Sequence, residues 1–127
     1  MEIIEEFWNH CRQKEFVVGF CPQCEKRHYY PQAICPNCGF RTTQLVPSSG
    51  RGKIDSYTHV LAPFYPDEDS FAPPYTIALI DLAEGVKVLA KMSRYTPDLH
   101  RGAAVTVDFQ LANARLIPVF NLDLAAQ

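Results

Sequence analysis

A mainly β protein, with one leading helix, a zinc ribbon and a five-stranded barrel of the OB-fold type, is what this sequence predicts. Three observations predict it. Two Cys-x-x-Cys pairs, Cys21-Pro22-Gln23-Cys24 and Cys35-Pro36-Asn37-Cys38, stand ten residues apart. An apolar stripe of helical period precedes them. Beyond Gly52 the apolar period drops to two and recurs in segment after segment.

Length and composition fit that architecture. At 127 residues the chain is one ordinary domain, or a small domain with a metal module attached. A hydrophobic content of 47% against 20% charged residues belongs to a folded globular protein. Nothing resembles a membrane span. The start carries Glu2, Glu5 and Glu6 where a secretory signal has basic residues and a long apolar run, so the cytoplasm is the expected compartment.

Residues 1–15 are expected to form the N-terminal helix. Ile3, Ile4, Phe7, Trp8 and Cys11 share one face over positions 2–14. Glu2, Glu5 and Glu6 lie at the positive end of its dipole, Arg12 and Lys14 at the negative end. A face this bulky must pack on the domain, on a partner subunit, or on both. Cys11 on that face reads as a small buried apolar residue.

Residues 16–46 read as the ribbon: strand Phe16 to Phe20, first knuckle, Tyr29 and Tyr30 before Pro31, second knuckle, then extended chain from Phe40 to Val46. Four thiolates on two tight turns can converge on one tetrahedral ion, and a closed four-sulfur shell is structural rather than catalytic. Cys21, Cys24, Cys35 and Cys38 are therefore the expected ligands of one zinc. Two disulfides are disfavoured in an intracellular chain, and iron is the competing metal. His28, between the pairs, is read as an exposed or stacking residue and not a ligand.

Residues 47–127 are assigned to the OB-type barrel, entered through a linker, Pro47 to Gly52, rich in turn formers. Strands are expected at Lys53 to Leu61, Pro74 to Leu82, Val86 to Met92, Val105 to Leu111 and Leu116 to Leu122. The second is apolar enough to be covered on both faces, and Ala83-Glu84-Gly85 turns it into the third. Pro118 implies an edge or a bulge for the fifth. An SH3-like barrel is the competing topology, because pattern does not dictate strand order. The loop from Ala62 to Pro73 carries Phe64, Tyr65 and Phe71 between prolines and is long enough to bind something.

No catalytic set is apparent. Gly-x-Ser-x-Gly, the phosphate-cradling loop and His-Glu-x-x-His are all missing. His10, His28, His59 and His100 are scattered, and Asp55 and His59 would lie about 13 Å apart on one strand face. Charge is uneven: residues 12–53 hold seven basic residues against two acidic, whereas residues 54–127 hold five against nine. A ribbon and an OB barrel invite a nucleic-acid reading, but an acidic barrel repels a phosphate backbone. Lys26, Arg27, Arg41, Arg51 and Lys53 suit a small phosphorylated ligand as well as a polymer.

The ordered set Phe7-Trp8, Cys21-x-x-Cys24, Pro31, Cys35-Pro36-x-Cys38-Gly39, Gly50-x-Gly52, Pro74-Tyr75, Asp81-Leu82-x-Glu84-Gly85-Val86, Gly102 and Pro118-Val119-Phe120 resembles the DUF35 family of OB-fold, acyl-CoA-associated proteins. The resemblance covers essentially the whole chain. It implies a rubredoxin-like zinc ribbon between a leading helix and an OB-fold. It also implies a non-catalytic accessory subunit that binds acyl-CoA and a thiolase-like or related acyl-CoA enzyme, with the chemistry in that partner. The family pattern carries over onto Cys21, Cys24, Cys35 and Cys38 as zinc ligands and places no catalytic residue. The helix face at Phe7 and Trp8 and the loop at Phe64, Tyr65 and Phe71 are the expected contacts. The alternatives are a nucleic-acid-binding module, and a free-standing enzyme using Cys11 or a histidine.

Overall fold

In the computed structural model, residues 3–62, 73–112 and 114–123 are described. Phe64, Tyr65 and Phe71 of the expected binding loop lie outside them.

The leading helix α1 spans Ile3–Arg12, two residues shorter at its C-terminal end than its apolar pattern suggests. Lys14 ends it by taking a positive φ of 60°, and the Glu15 N–H returns to the His10 carbonyl at 2.9 Å. Phe7 and Cys11 are fully buried, packed with Val17 of the ribbon and against Tyr29, Leu45 and Phe109. The apolar face of the helix is thus largely spent on its own domain. Phe7 is no surface contact; Trp8 is half-buried, with the Arg115 guanidinium 4.4 Å from its ring centre. Burial pushes the Cys11 thiol up to about 11, against the pull of Arg115, so it packs as an apolar residue.

Three short strands build the ribbon sheet: β1 (Val17–Phe20), β2 (Arg27–His28) and β3 (Gln44–Pro47), in the order β2-β1-β3, all antiparallel. Strand β2 ends just before Tyr29 and Tyr30, and β3 begins only at Gln44, because residues 35–43 are used by the second knuckle and the turn after it.

The barrel strands are β4 (Arg51–Val60), β5 (Tyr75–Leu82), β6 (Lys87–Lys91), β7 (Ala104–Ala112) and β8 (Arg115–Leu122). Their order is β6-β5-β4-β7-β8, with every neighbouring pair antiparallel. The fourth strand returns beside the first, which is Greek-key connectivity. A single parallel bridge, Met92 to Phe120, brings the two sheet edges together and nearly closes the barrel. Pro118, without an N–H, sits on the edge strand β8, where the missing donor costs no ladder bond.

Ile54, Ala78, Ile80, Leu82, Val88, Met92, Val105 and Phe120 fill the interior. One expectation changes here. Strand β5 alternates, with Thr76, Ala78, Ile80 and Leu82 buried and Asp81 exposed, because a barrel has one interior and its outside is only partly covered. Leu111 points outward, since β7 runs past the end of the interior. Leu99, in the connection between β6 and β7, is buried in the core although nothing in its local pattern marks it.

The stretch expected to link ribbon and barrel is a pinned corner. Pro47 belongs to β3 and Arg51 to β4, leaving three residues between them. The Ser48 N–H donates to Phe16 O at 3.0 Å, and the Val107 N–H to Gly50 O at 2.7 Å. The Glu84 carboxylate accepts from Ser48 Oγ at 3.0 Å and from the Ser49 N–H at 2.8 Å. Partial burial raises the Glu84 pKa, but these donors outweigh it and hold the group below its ordinary value. The stability this adds is complete above the unfolded-state pKa and is lost as pH falls through the folded one. Glu84→Gln is therefore expected to cost about 1 kcal/mol at neutral pH and much less under acid, which urea denaturation at both pH values would check.

Candidate metal centre

Each Cys-x-x-Cys pair closes a turn whose backbone N–H groups point at sulfur. The Cys24 N–H lies 3.5 Å from Cys21 Sγ, and Cys35 Sγ receives the N–H groups of Asn37 at 3.3 Å and Cys38 at 3.4 Å. Gly39 ends the second knuckle with a φ of +82°, which a residue with a Cβ rarely adopts. The pairs are held face to face by β1 and β2, which flank the first knuckle, and by the Cys35 N–H to Phe40 O bond, 2.8 Å, across the second.

All four sulfurs fall within 4.8 Å of one another. Across the knuckles, Cys21 Sγ is 3.6 Å from Cys38 Sγ, and Cys24 Sγ is 3.8 Å from Cys35 Sγ. A tetrahedron with Zn–S bonds of about 2.3 Å has edges of about 3.8 Å. The spacing fits an ion at the centre and is far too long for disulfides, which need about 2.05 Å. All five cysteines are free thiols.

Electrostatics agree. The Asn37 side-chain amide, 3.6 Å from Cys24 Sγ, is the main cause that brings that thiol down to about 6. The Cys38 N–H lowers Cys35. Cys38 itself is pushed up to about 12: the Phe40 backbone favours its thiolate, but burial and the three neighbouring sulfurs outweigh it. Sulfurs this close cannot all ionise beside one another unaided, and a divalent cation is what makes four thiolates compatible.

His28 stays out of the cluster but is buried, where the sequence suggested an exposed or stacking ring. Its Nε2 accepts the Gln32 N–H at 3.2 Å, and burial lowers its pKa. The ring fits because residue 19 across the strand pair is glycine: a Cβ there would lie 2.2 Å from His28 Nε2. Gly19→Ala should evict the ring and cost about 1–3 kcal/mol, read as a lower urea midpoint.

The remaining expected site residues are dispersed. Lys26, Arg27 and Arg41 are exposed on the ribbon, while Arg51 and Lys53 are exposed on β4. Asp55 pairs with Lys87 at 3.4 Å and Arg101 at 3.8 Å, whereas His59 turns to Thr76. That histidine–hydroxyl pair, invisible in the sequence because strand pairing creates it, involves a fully buried Thr76 that no substrate can reach. Among the described residues the four cysteines are the one grouping fit to hold a metal. No helix among them is long and apolar enough to cross a membrane.

Comparison with known proteins agrees with this geometry. Residues 8–43 match the family model described as the ChsH2 rubredoxin-like zinc ribbon domain, and residues 45–110 the ChsH2 C-terminal OB-fold domain. A DUF35 domain-containing scaffold protein of Pyrococcus furiosus is 34% identical over 97 residues, covering 75% of this chain and 68% of that one. The chain belongs to the DUF35 family. The OB model and the Greek-key order together set aside the SH3-like alternative, and a rubredoxin-like ribbon with four clustered cysteines is consistent with one structural zinc.

Other relatives carry the names of enzyme subunits. The benzoylsuccinyl-CoA thiolase subunit BbsA of Geobacter metallireducens is 31% identical over 57% of this chain and 46% of its own length. A probable enoyl-CoA hydratase alpha subunit of Thermomonospora curvata is 30% identical over 90% of this chain; the chain spans only 36% of that protein. Among solved structures, the Ltp2-ChsH2(DUF35) aldolase matches with a TM-score of 0.78 at 27% identity over 96% of both chains.

Proposed function

We propose that this DUF35 protein is a cytoplasmic scaffold subunit without catalysis of its own. In this reading it docks on a thiolase-like acyl-CoA enzyme and helps hold the CoA thioester for it. Cys21, Cys24, Cys35 and Cys38 bind one zinc that holds the ribbon in shape and has no open position for substrate. The helix (1–15), ribbon (16–46) and barrel (47–127) are the units of this scaffold, with ribbon and barrel joined at the corner that Glu84 clamps.

The observation that carries this reading is the end-to-end likeness to a DUF35 chain whose structure is named for an aldolase complex. Two features of this chain support it. Among the described residues, three of the four histidines are engaged away from any accessible nucleophile: His10 bonds Glu15, His28 is buried, and His59 is paired with buried Thr76. Trp8 lines an open apolar recess of about 290 Å3 along the seam between β6 and β8, with Ile77, Leu89, Ile117 and Pro118. Leu89 there is 65% exposed, an apolar surface of the kind a partner covers.

Co-expression with a thiolase-like enzyme of the same organism tests the reading. The two chains should co-purify and Trp8→Ala should weaken the complex; a chain that remains a monomer beside that enzyme would overturn it. Retention of oligonucleotides that declines steeply with salt would instead favour a nucleic-acid module.

A further inference from the structure

At the barrel end formed by the last residues of β4 and the first of β5, three rings cluster on the surface. His59 stands between Tyr57 and Tyr95, with ring centres 5.4 Å from each. Both tyrosines are open to solvent, at 40% and 36% exposure. Beneath them, fully buried Thr76 accepts the Thr96 N–H at 3.2 Å and lies 2.9 Å from His59 Nδ1. A buried hydroxyl must also donate, and among the described residues His59 Nδ1 is the acceptor in place. The imidazole therefore keeps its proton on Nε2, the nitrogen on the side of the ring away from the interior. No described residue accepts that proton.

A cavity of about 610 Å3, lined by polar and apolar groups alike, opens beside the cluster and shares Tyr95 and Thr96 with it, a volume in the usual range for small-molecule sites of about 300–1,000 Å3. Its wall also carries Arg94, Asp98, Asp108 and Gln110. The Asp108 carboxylate is held by the Asn121 amide at 3.2 Å. Two carboxylates against one guanidinium disfavour a phosphate inside and favour hydroxyl donors.

We propose that Tyr57, His59 and Tyr95, with this cavity, bind the base and sugar of a nucleoside. The base lies on a tyrosine face, where stacking is worth enough to hold a ring of any base. A ring nitrogen accepts the His59 Nε2 proton, which a plain phenyl ring cannot do. The sugar hydroxyls donate to the carboxylates of the cavity, and any phosphate remains outside. Identifying the moiety with the adenosine end of a CoA thioester rests on the function proposed above; the nucleoside site itself does not.

Calorimetric titration of the zinc-loaded full chain with adenosine, and separately with CoA and pantetheine, tests this. Adenosine should bind, pantetheine should bind more weakly than CoA, and Tyr95→Ala and His59→Ala should each weaken adenosine about tenfold or more. Tyr95→Phe, which keeps the ring, should bind as the parent does. Should His59→Ala fail to fold, the 15N shift of His59 Nε2 on adding adenosine replaces it: a shift that saturates supports the site, and none overturns it. No adenosine binding overturns the proposal. Tyr95→Ala protein that loses a partner enzyme while keeping adenosine also overturns it and makes the patch a protein contact. CoA binding unchanged in both alanine variants removes the coenzyme assignment and leaves the acyl-CoA reading standing. Adenosine bound through His59 with no CoA bound keeps the site and removes that reading.

Discussion

Cys35→Ser will strip the chain of stoichiometric zinc and unfold the ribbon. Cys35 is buried and its sulfur gathers the N–H groups of Asn37 and Cys38, so it organises the second knuckle as well as supplying a ligand. Apart from Phe16 and Val18, which reach into the barrel core, little else holds that region. The ribbon sheet has one two-residue strand and two of four residues, and its own buried cluster is Phe7, Cys11 and Val17. Structural zinc contributes about 10–16 kcal/mol in comparable small modules, far more than three buried side chains supply. With the ion gone, β1 and β3 lose their register and α1 loses the part of its seat that Val17 and Leu45 provide, keeping its contacts with Phe109 and β8 of the barrel. Metal analysis should find well under about one zinc per chain, and limited proteolysis should cut within residues 21–44 while the barrel persists. Chelation of the parent protein should reproduce both results. A variant with full zinc content and an intact ribbon would refute the four-thiolate assignment.

Phe120→Ala should cost about 3–5 kcal/mol, the most of any single barrel substitution considered. The ring is fully buried in the core, at a position whose backbone pairs with Val107 of β7 and bridges Met92 at the other sheet edge. It also meets Phe16 edge to face, at 5.9 Å and 87°, which joins the barrel core to the residue that leads into β1 of the ribbon. Its removal opens a cavity at the junction of both modules. Against a typical total of about 5–15 kcal/mol, the loss is a third or more. Urea denaturation with zinc saturated would measure it. Leu89→Ala, at an exposed position of the same barrel, should stay within about 0.5 kcal/mol and serves as the control. Equal effects from the two would show that the barrel interior is not where Phe120 places it.

The elements whose residues carry their own local signal were legible in advance. The Cys-x-x-Cys spacing announces a metal because two tight turns have few other uses for four thiols. The stripe from Ile3 to Cys11 announces a helix because its period matches 3.6 residues per turn. The alternation of Val105 to Phe109 and the turn at Ala83 to Gly85 likewise placed β7 and the β5–β6 hairpin. The ends were displaced where a distant residue intervenes: the corner at Ser48 and Ser49 looked like a linker because the carboxylate that pins it belongs to Glu84, more than thirty residues along the chain.

By itself, then, the sequence determined the four-cysteine metal site, the number and approximate place of the strands, and the kinship with DUF35 proteins, since each depends on residue types at short, fixed separations. Only the tertiary structure decided which strands lie side by side, that Phe7 turns inward while Trp8 remains at the surface, that Leu99 fills the core, and that Tyr57, His59 and Tyr95 meet over Thr76. Those outcomes depend on contacts between residues far apart in the chain, whose free energy exists only once the barrel has closed around them.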